Sequence, residues 1–162
     1  MTRFDELLRV LTAAQVEFVV IGGVAAVAHG SPRLTSDMDI VYGRNAENLE
    51  RVIAALGSHR PYLRGAPPGL PFRFDVETLR AGLNFTLVTD LGSIDLLGEV
   101  AGGGGYKDLL THSIAANMYG VDCRILDLET LIHTKRAAGR PKDFEAIAEL
   151  ELLRERSKRA NS

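Results

Sequence analysis

Two aspartates alternate with apolar residues at the head of the run Asp37-Met38-Asp39-Ile40-Val41-Tyr42. A period of two is the signature of a β-strand, whose successive side chains point to opposite faces. Met38 and Ile40 then face one side, and Asp37, Asp39 and Val41 the other. The two carboxylates share a face, roughly 6–7 Å apart at the backbone. Any fold for this chain must put that acidic face where its charge is compensated. Unneutralised carboxylates so close repel, and one pKa rises. A hard divalent cation removes the conflict, and Mg²⁺ takes one or two carboxylates together with phosphates and water. The plainer alternative is a pair of turn and edge acids without metal.

The flanking sequence reads as alternating helices and strands. Phe4, Leu7, Leu8 and Leu11 follow the helical period, giving a helix over about 3–15. The β-branched run Phe18-Val19-Val20-Ile21 is a buried strand that stops at Gly22-Gly23. Val24 to His29 is a short small-residue helix, broken by Gly30-Ser31-Pro32. A helix follows over 46–56, with Gly57 after it. Residues 60–75 hold four prolines and are expected to form an irregular loop over a ligand. Phe85–Thr89 and Ser93–Leu97 make a hairpin around Asp90-Leu91-Gly92. The glycines 102–105 read as a flexible surface loop. Then come a short helix at 106–111 and two strands, Ile114–Met118 and Cys123–Leu126. A helix over 128–138 is capped by Asp127, and Pro141 opens the last helix. The expectation is an α+β fold: one domain over 1–153, a short mixed β-sheet flanked by α-helices mainly on one face, and a frayed tail over 154–162.

Composition narrows the class. At 162 residues, 46% hydrophobic and 25% charged, the chain suits one globular core. No apolar run approaches a membrane span. The first ten residues carry two acids and no apolar stretch, which argues against a signal peptide; the expected compartment is the cytoplasm. A single cysteine, Cys123, excludes an internal disulfide and reads as a buried strand residue. His29 reads as a structural histidine. Net charge is −2, but residues 133–162 carry eight basic and five acidic side chains. That basic segment suits a phosphate-bearing ligand or, more blandly, a solvated helix face.

Asp95 is the only acid in the apolar strand Ile94-Asp95-Leu96-Leu97. An acid there must be paired, solvated or bound to metal. A third carboxylate allows a second metal, and two ions about 3.5–4 Å apart clamp the attacking and leaving oxygens of an in-line displacement. Gly22-Gly23 stand at a strand-to-helix junction, where glycine lets the backbone approach a phosphate. Arg33 suits a bidentate contact to triphosphate. Thr35 suits a phosphate contact or a turn cap.

Gly22-Gly23, thirteen intervening residues and Asp37-Met38-Asp39-Ile40 together resemble the signature of the polymerase-beta-like nucleotidyltransferase superfamily. Asp95 matches its third carboxylate. The likeness is closer to its small branches: type IV toxin-like, antitoxin-type and antibiotic adenylyltransferase-like proteins. In these, Arg-x-Thr-x-Asp-x-Asp recurs, matched by residues 33–39, and a later Lys … Arg-x-Lys-Asp is matched by Lys135, Arg140, Lys142 and Asp143. The resemblance covers roughly residues 16–150. It implies transfer of a nucleoside monophosphate from an NTP to a hydroxyl, with release of pyrophosphate. Asp37, Asp39 and Asp95 would be catalytic and would hold two Mg²⁺ ions, with Mn²⁺ an alternative. Gly22, Gly23, Arg33, Thr35, Lys135, Arg140 and Asp143 would form the nucleotide site. The acceptor stays open among RNA or tRNA ends, a protein and a small molecule. So does association as a homodimer or with a partner protein. The competing reading is a non-catalytic partner on the same scaffold, such as an antitoxin-like regulator.

Overall fold

The acidic strand lies at the centre of a seven-stranded mixed sheet. The computed structural model describes residues 1–161. The chain runs α1 (Phe4–Ala13), β1 (Phe18–Ile21), α2 (Gly22–Ala28), β2 (Asp37–Tyr42) and α3 (Ala46–Leu56). After a 3-10 turn at Gly57–His59 come β3 (Tyr62–Leu63), α4 (Val76–Ala81), β4 (Phe85–Thr89) and β5 (Gly92–Leu97). The rest is α5 (Tyr106–Leu110), β6 (Ser113–Met118), β7 (Val121–Leu126), α6 (Leu128–Ala138) and α7 (Pro141–Ala160).

The sheet order is β3-β4-β5-β2-β1-β7-β6. β2 is antiparallel to β1 and parallel to β5, and β1 is parallel to β7. Register sets the chemistry. Asp39 stands opposite Asp95 on β5 and opposite Ile21, the last residue of β1. Met38, Ile40, Ile94 and Leu96 are fully buried on the face away from the aspartates. With Leu7, Leu8 and Leu11 of α1 and Leu49, Val52 and Leu56 of α3 they belong to one continuous core. That core holds the central strands rigid, so the acids at their edge are placed by packing.

Three segments depart from the sequence reading. Within 60–84 the chain forms β3 and α4 as well as loop. β3 is two residues long, too short to show a period, and forms by pairing with β4. α4 is capped by Asp75, whose side chain accepts from Thr78 N–H at 2.8 Å. The glycine run is packed against helices: a Cβ on Gly102 would lie 2.5 Å from that of Ala137 on α6. The expected fraying from Arg154 does not occur, since α7 continues to Ala160. Arg154 is tied to Glu129 on α6 at 3.3 Å. The tail's last residue, Ser162, lies outside the described residues. Among those residues no helix is long and apolar enough to cross a membrane.

Candidate active site

A cavity of about 450 Å³ opens at the edge of the sheet where β1 ends and β2 begins. Asp37, Asp39, Asp95, Gly22 and Gly23 line it on the sheet side. Arg33, Lys135, Arg140 and Asp143 line it from the loop before β2 and from α6 and α7. Thr35 lines a smaller adjoining cavity. The ten residues singled out in the sequence, spread over more than a hundred positions, thus converge on one place.

The glycines are required here by two side chains. A Cβ on Gly22 would fall 2.1 Å from Asp39 Oδ2, and Gly22 has φ +65°. A Cβ on Gly23 would fall 2.6 Å from Thr35 Oγ1. Thr35 Oγ1 in turn donates to the Asp37 carbonyl at 3.3 Å. The start of α2 and the start of β2 therefore press together with no room for a methyl group.

Electrostatics follow from burial. Burial pushes the Asp39 carboxyl up to about 7, helped by a hydrogen bond with Asp95 and by the charges of Asp95 and Asp37; Lys135 opposes the shift. Lys135 is itself lowered, mainly by burial, with Asp143 opposing. Burial alone would raise Asp143, but Arg140 outweighs it and holds the carboxyl below its ordinary value. Asp143 is nearly inaccessible and accepts from Arg140 Nε at 2.8 Å and Nη2 at 3.3 Å, with Lys135 Nζ at 3.9 Å. It fixes both cations at the cavity wall. Arg33 faces the cavity but is held by Glu149, with Nε to Oε2 at 2.7 Å, and lies 3.5 Å from Glu145. Its guanidinium pins the loop before β2 onto α7, the surface ion pair that is the plainer expectation for an arginine at this position.

One side chain in contact with the candidate carboxylates is not among the residues expected from the sequence. Arg64, just after β3, donates from Nη2 to Asp95 Oδ1, and its Nη1 lies 3.5 Å from Asp37 Oδ1. The only hint in the sequence is that residues 60–74 contain three arginines and no acid. Among the described residues no three acidic, His or Cys side chains close around a common point as they stand. Arg64 occupies one oxygen each of Asp95 and Asp37.

His29 is structural, with Nε2 2.8 Å from the Leu126 carbonyl. Cys123 is only half-buried, and partial burial raises its thiol, which leaves it unreactive.

The same architecture occurs in a Thermotoga maritima protein provisionally named a nucleotidyltransferase. Its crystal structure superposes with a TM-score of 0.58 at 17% identity, over 92% of this chain and 94% of that one. The fold is a nucleotidyltransferase fold. An antigenic nucleotidyltransferase-like protein from Paracoccidioides brasiliensis is a more distant match, with a TM-score of 0.49 at 17% identity over 94% of this chain and 77% of that one. No protein-family model and no curated protein matches the sequence. On this fold, the cavity at the junction of β1, β2 and α2 brings together Asp37, Asp39, Asp95, Lys135, Arg140 and Asp143.

Proposed function

We propose that the protein is a divalent-metal-dependent nucleotidyltransferase that moves a nucleoside monophosphate from an NTP to a hydroxyl. The observation that carries this reading is the meeting of Asp37, Asp39 and Asp95 with Lys135 and Arg140 in one cavity on this fold. The donor set fits Mg²⁺ or Mn²⁺: hard carboxylate oxygens, two of them on directly paired positions of parallel strands. A buried carboxyl hydrogen-bonded to another acid, as Asp39 is to Asp95, is a site that favours a cation. Asp37, Asp39 and Asp95 would hold the ions. Divalent ions there would supply charge for the phosphoryl oxygens and make the acceptor hydroxyl more acidic.

The chain's own groups do the rest. Lys135 and Arg140, held by Asp143, offset the triphosphate charge, and Gly22-Gly23 let the backbone come close to it. Asp95, the third carboxylate of the cavity, would help activate the acceptor hydroxyl. The acceptor oxygen bonds to the α-phosphorus, the bond from that phosphorus to the pyrophosphate oxygen breaks, and the hydroxyl proton passes through Asp95 to solvent. RNA or tRNA ends, a protein and a small molecule are the candidate acceptor classes.

A second reading is favoured by Arg64. A cation seated on Asp95 and Asp37 is also what a scaffold retained for partner binding would carry, as in an antitoxin-like protein. The deciding experiment is label transfer. The protein is incubated with each α-labelled NTP, Mg²⁺ and separated RNA, protein and small-molecule fractions of a cell extract. The expected result is label in one fraction, absent with Asp37→Ala, which also names the acceptor class. No label, together with no Mg²⁺-dependent NTP binding, would put the partner-protein reading in front.

A further inference from the structure

Arg64 reaches the carboxylates along a defined route. Its backbone N–H donates to the Thr86 carbonyl at 3.0 Å, and Nη1 passes the Leu87 carbonyl at 3.4 Å. β3 and β4 thus deliver the guanidinium across β5 to Asp95 and Asp37. The side chain is 27% exposed, so the contact is neither sealed in the core nor free in solvent. The sheet order separates two flanks. Gly22-Gly23, Lys135 and Arg140 come from β1, α2 and the helices after β7, on one side of β2. Arg64 comes from the opposite side.

A guanidinium and a divalent ion seek the same lone pairs, here Asp95 Oδ1 and Asp37 Oδ1. Like charges at contact distance repel, most strongly where water is partly excluded. An ion ligated by those oxygens would lie close to the guanidinium, so each cation weakens the hold of the other. We infer that Arg64 is a tethered cation that competes with a divalent ion for Asp37 and Asp95, so that loading an ion on these carboxylates displaces its guanidinium. The inference rests on the metal-dependent reading above. It assigns Arg64 as a positioning residue that keeps the carboxylates compensated until the ion arrives, and it couples metal loading to the loop beyond β3.

Mn²⁺ binding tests it without reference to activity. The signal of free Mn²⁺ in electron paramagnetic resonance is followed while wild type, Arg64→Gln, Arg64→Lys and Arg60→Gln are titrated in the absence of nucleotide. Arg60→Gln removes the same charge four residues away, before β3, at a position 88% exposed. The expected result is at least fivefold tighter Mn²⁺ binding in Arg64→Gln, an intermediate gain in Arg64→Lys, which cannot fork across two carboxylates, and less than a twofold change in Arg60→Gln. Adding Asp95→Asn to Arg64→Gln should cancel the gain. Circular dichroism melting confirms that each variant is folded, and Arg64→Lys carries the test if Arg64→Gln is not. Equal or weaker Mn²⁺ binding in the Arg64 variants, with wild type binding measurably, overturns the competition alone. So does an equal gain in Arg60→Gln, which would mean a general charge effect. No Mn²⁺ binding by any of the four proteins overturns the metal-dependent reading and this inference together.

Discussion

At the scale of single residues, the site is a set of close approaches with no slack. Gly22→Ala should put a methyl group into Asp39 at a backbone angle that L-residues resist. The expected cost is about 1–3 kcal/mol of stability, read by urea unfolding, with loss of label transfer. A variant that unfolds and transfers like wild type would show that the approach is relaxed at no cost. Asp39 makes a second prediction, for the metal-free protein. Its folded carboxyl is raised to about 7 by burial and by Asp95 and Asp37, against Lys135. It therefore takes up a proton on folding between about pH 4 and pH 7, and wild-type stability falls as pH rises through that window. Asp39→Asn lacks this penalty. In EDTA it should melt like wild type near pH 4 and be about 1–3 kcal/mol more stable at pH 8. Equal stability at both pH values would mean that Arg64 and Lys135 already compensate the cluster fully. The aspartates could be read from the sequence because strand alternation and an apolar context mark them. Arg64 could not, because its partners are set by the register of β3 on β4 and of β4 on β5, which no local pattern carries.

At the scale of elements, legibility followed length and capping. α3 and α6 lie over the expected ranges, and both are capped: Asn45 accepts from Asn48 N–H at 2.9 Å, and Asp127, the expected cap of α6, from Thr130 N–H at 2.7 Å. The two-residue β3 lies within the proline-rich segment and the six-residue α4 just after it, and neither is long enough to show a period. The α6–α7 junction joins the two kinds of information. Gly139 turns the chain at φ +64° and Pro141 opens α7. Asp143, one turn further on, then binds Arg140 and Lys135. As a short motif these residues look like ordinary helix-end charges; only the folded junction shows that one buried acid orients two cavity cations. Asp143→Ala should cost about 1–3 kcal/mol, measured by urea unfolding. It should also weaken Mg²⁺–NTP binding roughly tenfold, a 1.4 kcal/mol loss, measured by calorimetric titration. Unchanged nucleotide affinity in a destabilised variant would reduce Asp143 to a purely structural acid.

At the scale of the whole molecule, the charge asymmetry of the sequence acquires a location. Of the basic C-terminal segment, Lys135, Arg140 and Lys142 line the cavity opposite Asp37, Asp39 and Asp95, while Arg136 and Arg154 pair with Glu151 and Glu129. Strand order could not be read in advance, because β5 joins β2 and β7 joins β1 only by non-local pairing. Its consequence is a site assembled from both halves of the chain, so a ligand that spans it must stabilise the entire fold. A ligand bound only by the folded state at a hundred times its Kd adds about 2.7 kcal/mol. For a domain of this size that corresponds to a rise in melting temperature of roughly 5–10 °C. The acids need a cation and the basic wall needs an anion, so neither component alone satisfies both sides. Mg²⁺ alone and NTP alone should each give a small shift, and the two together a shift larger than their sum. Asp39→Asn should remove that excess, because it takes away a carboxylate that only the metal complex requires. A full shift with NTP in EDTA would show instead that Arg64 compensates the carboxylates well enough for the nucleotide to bind without metal.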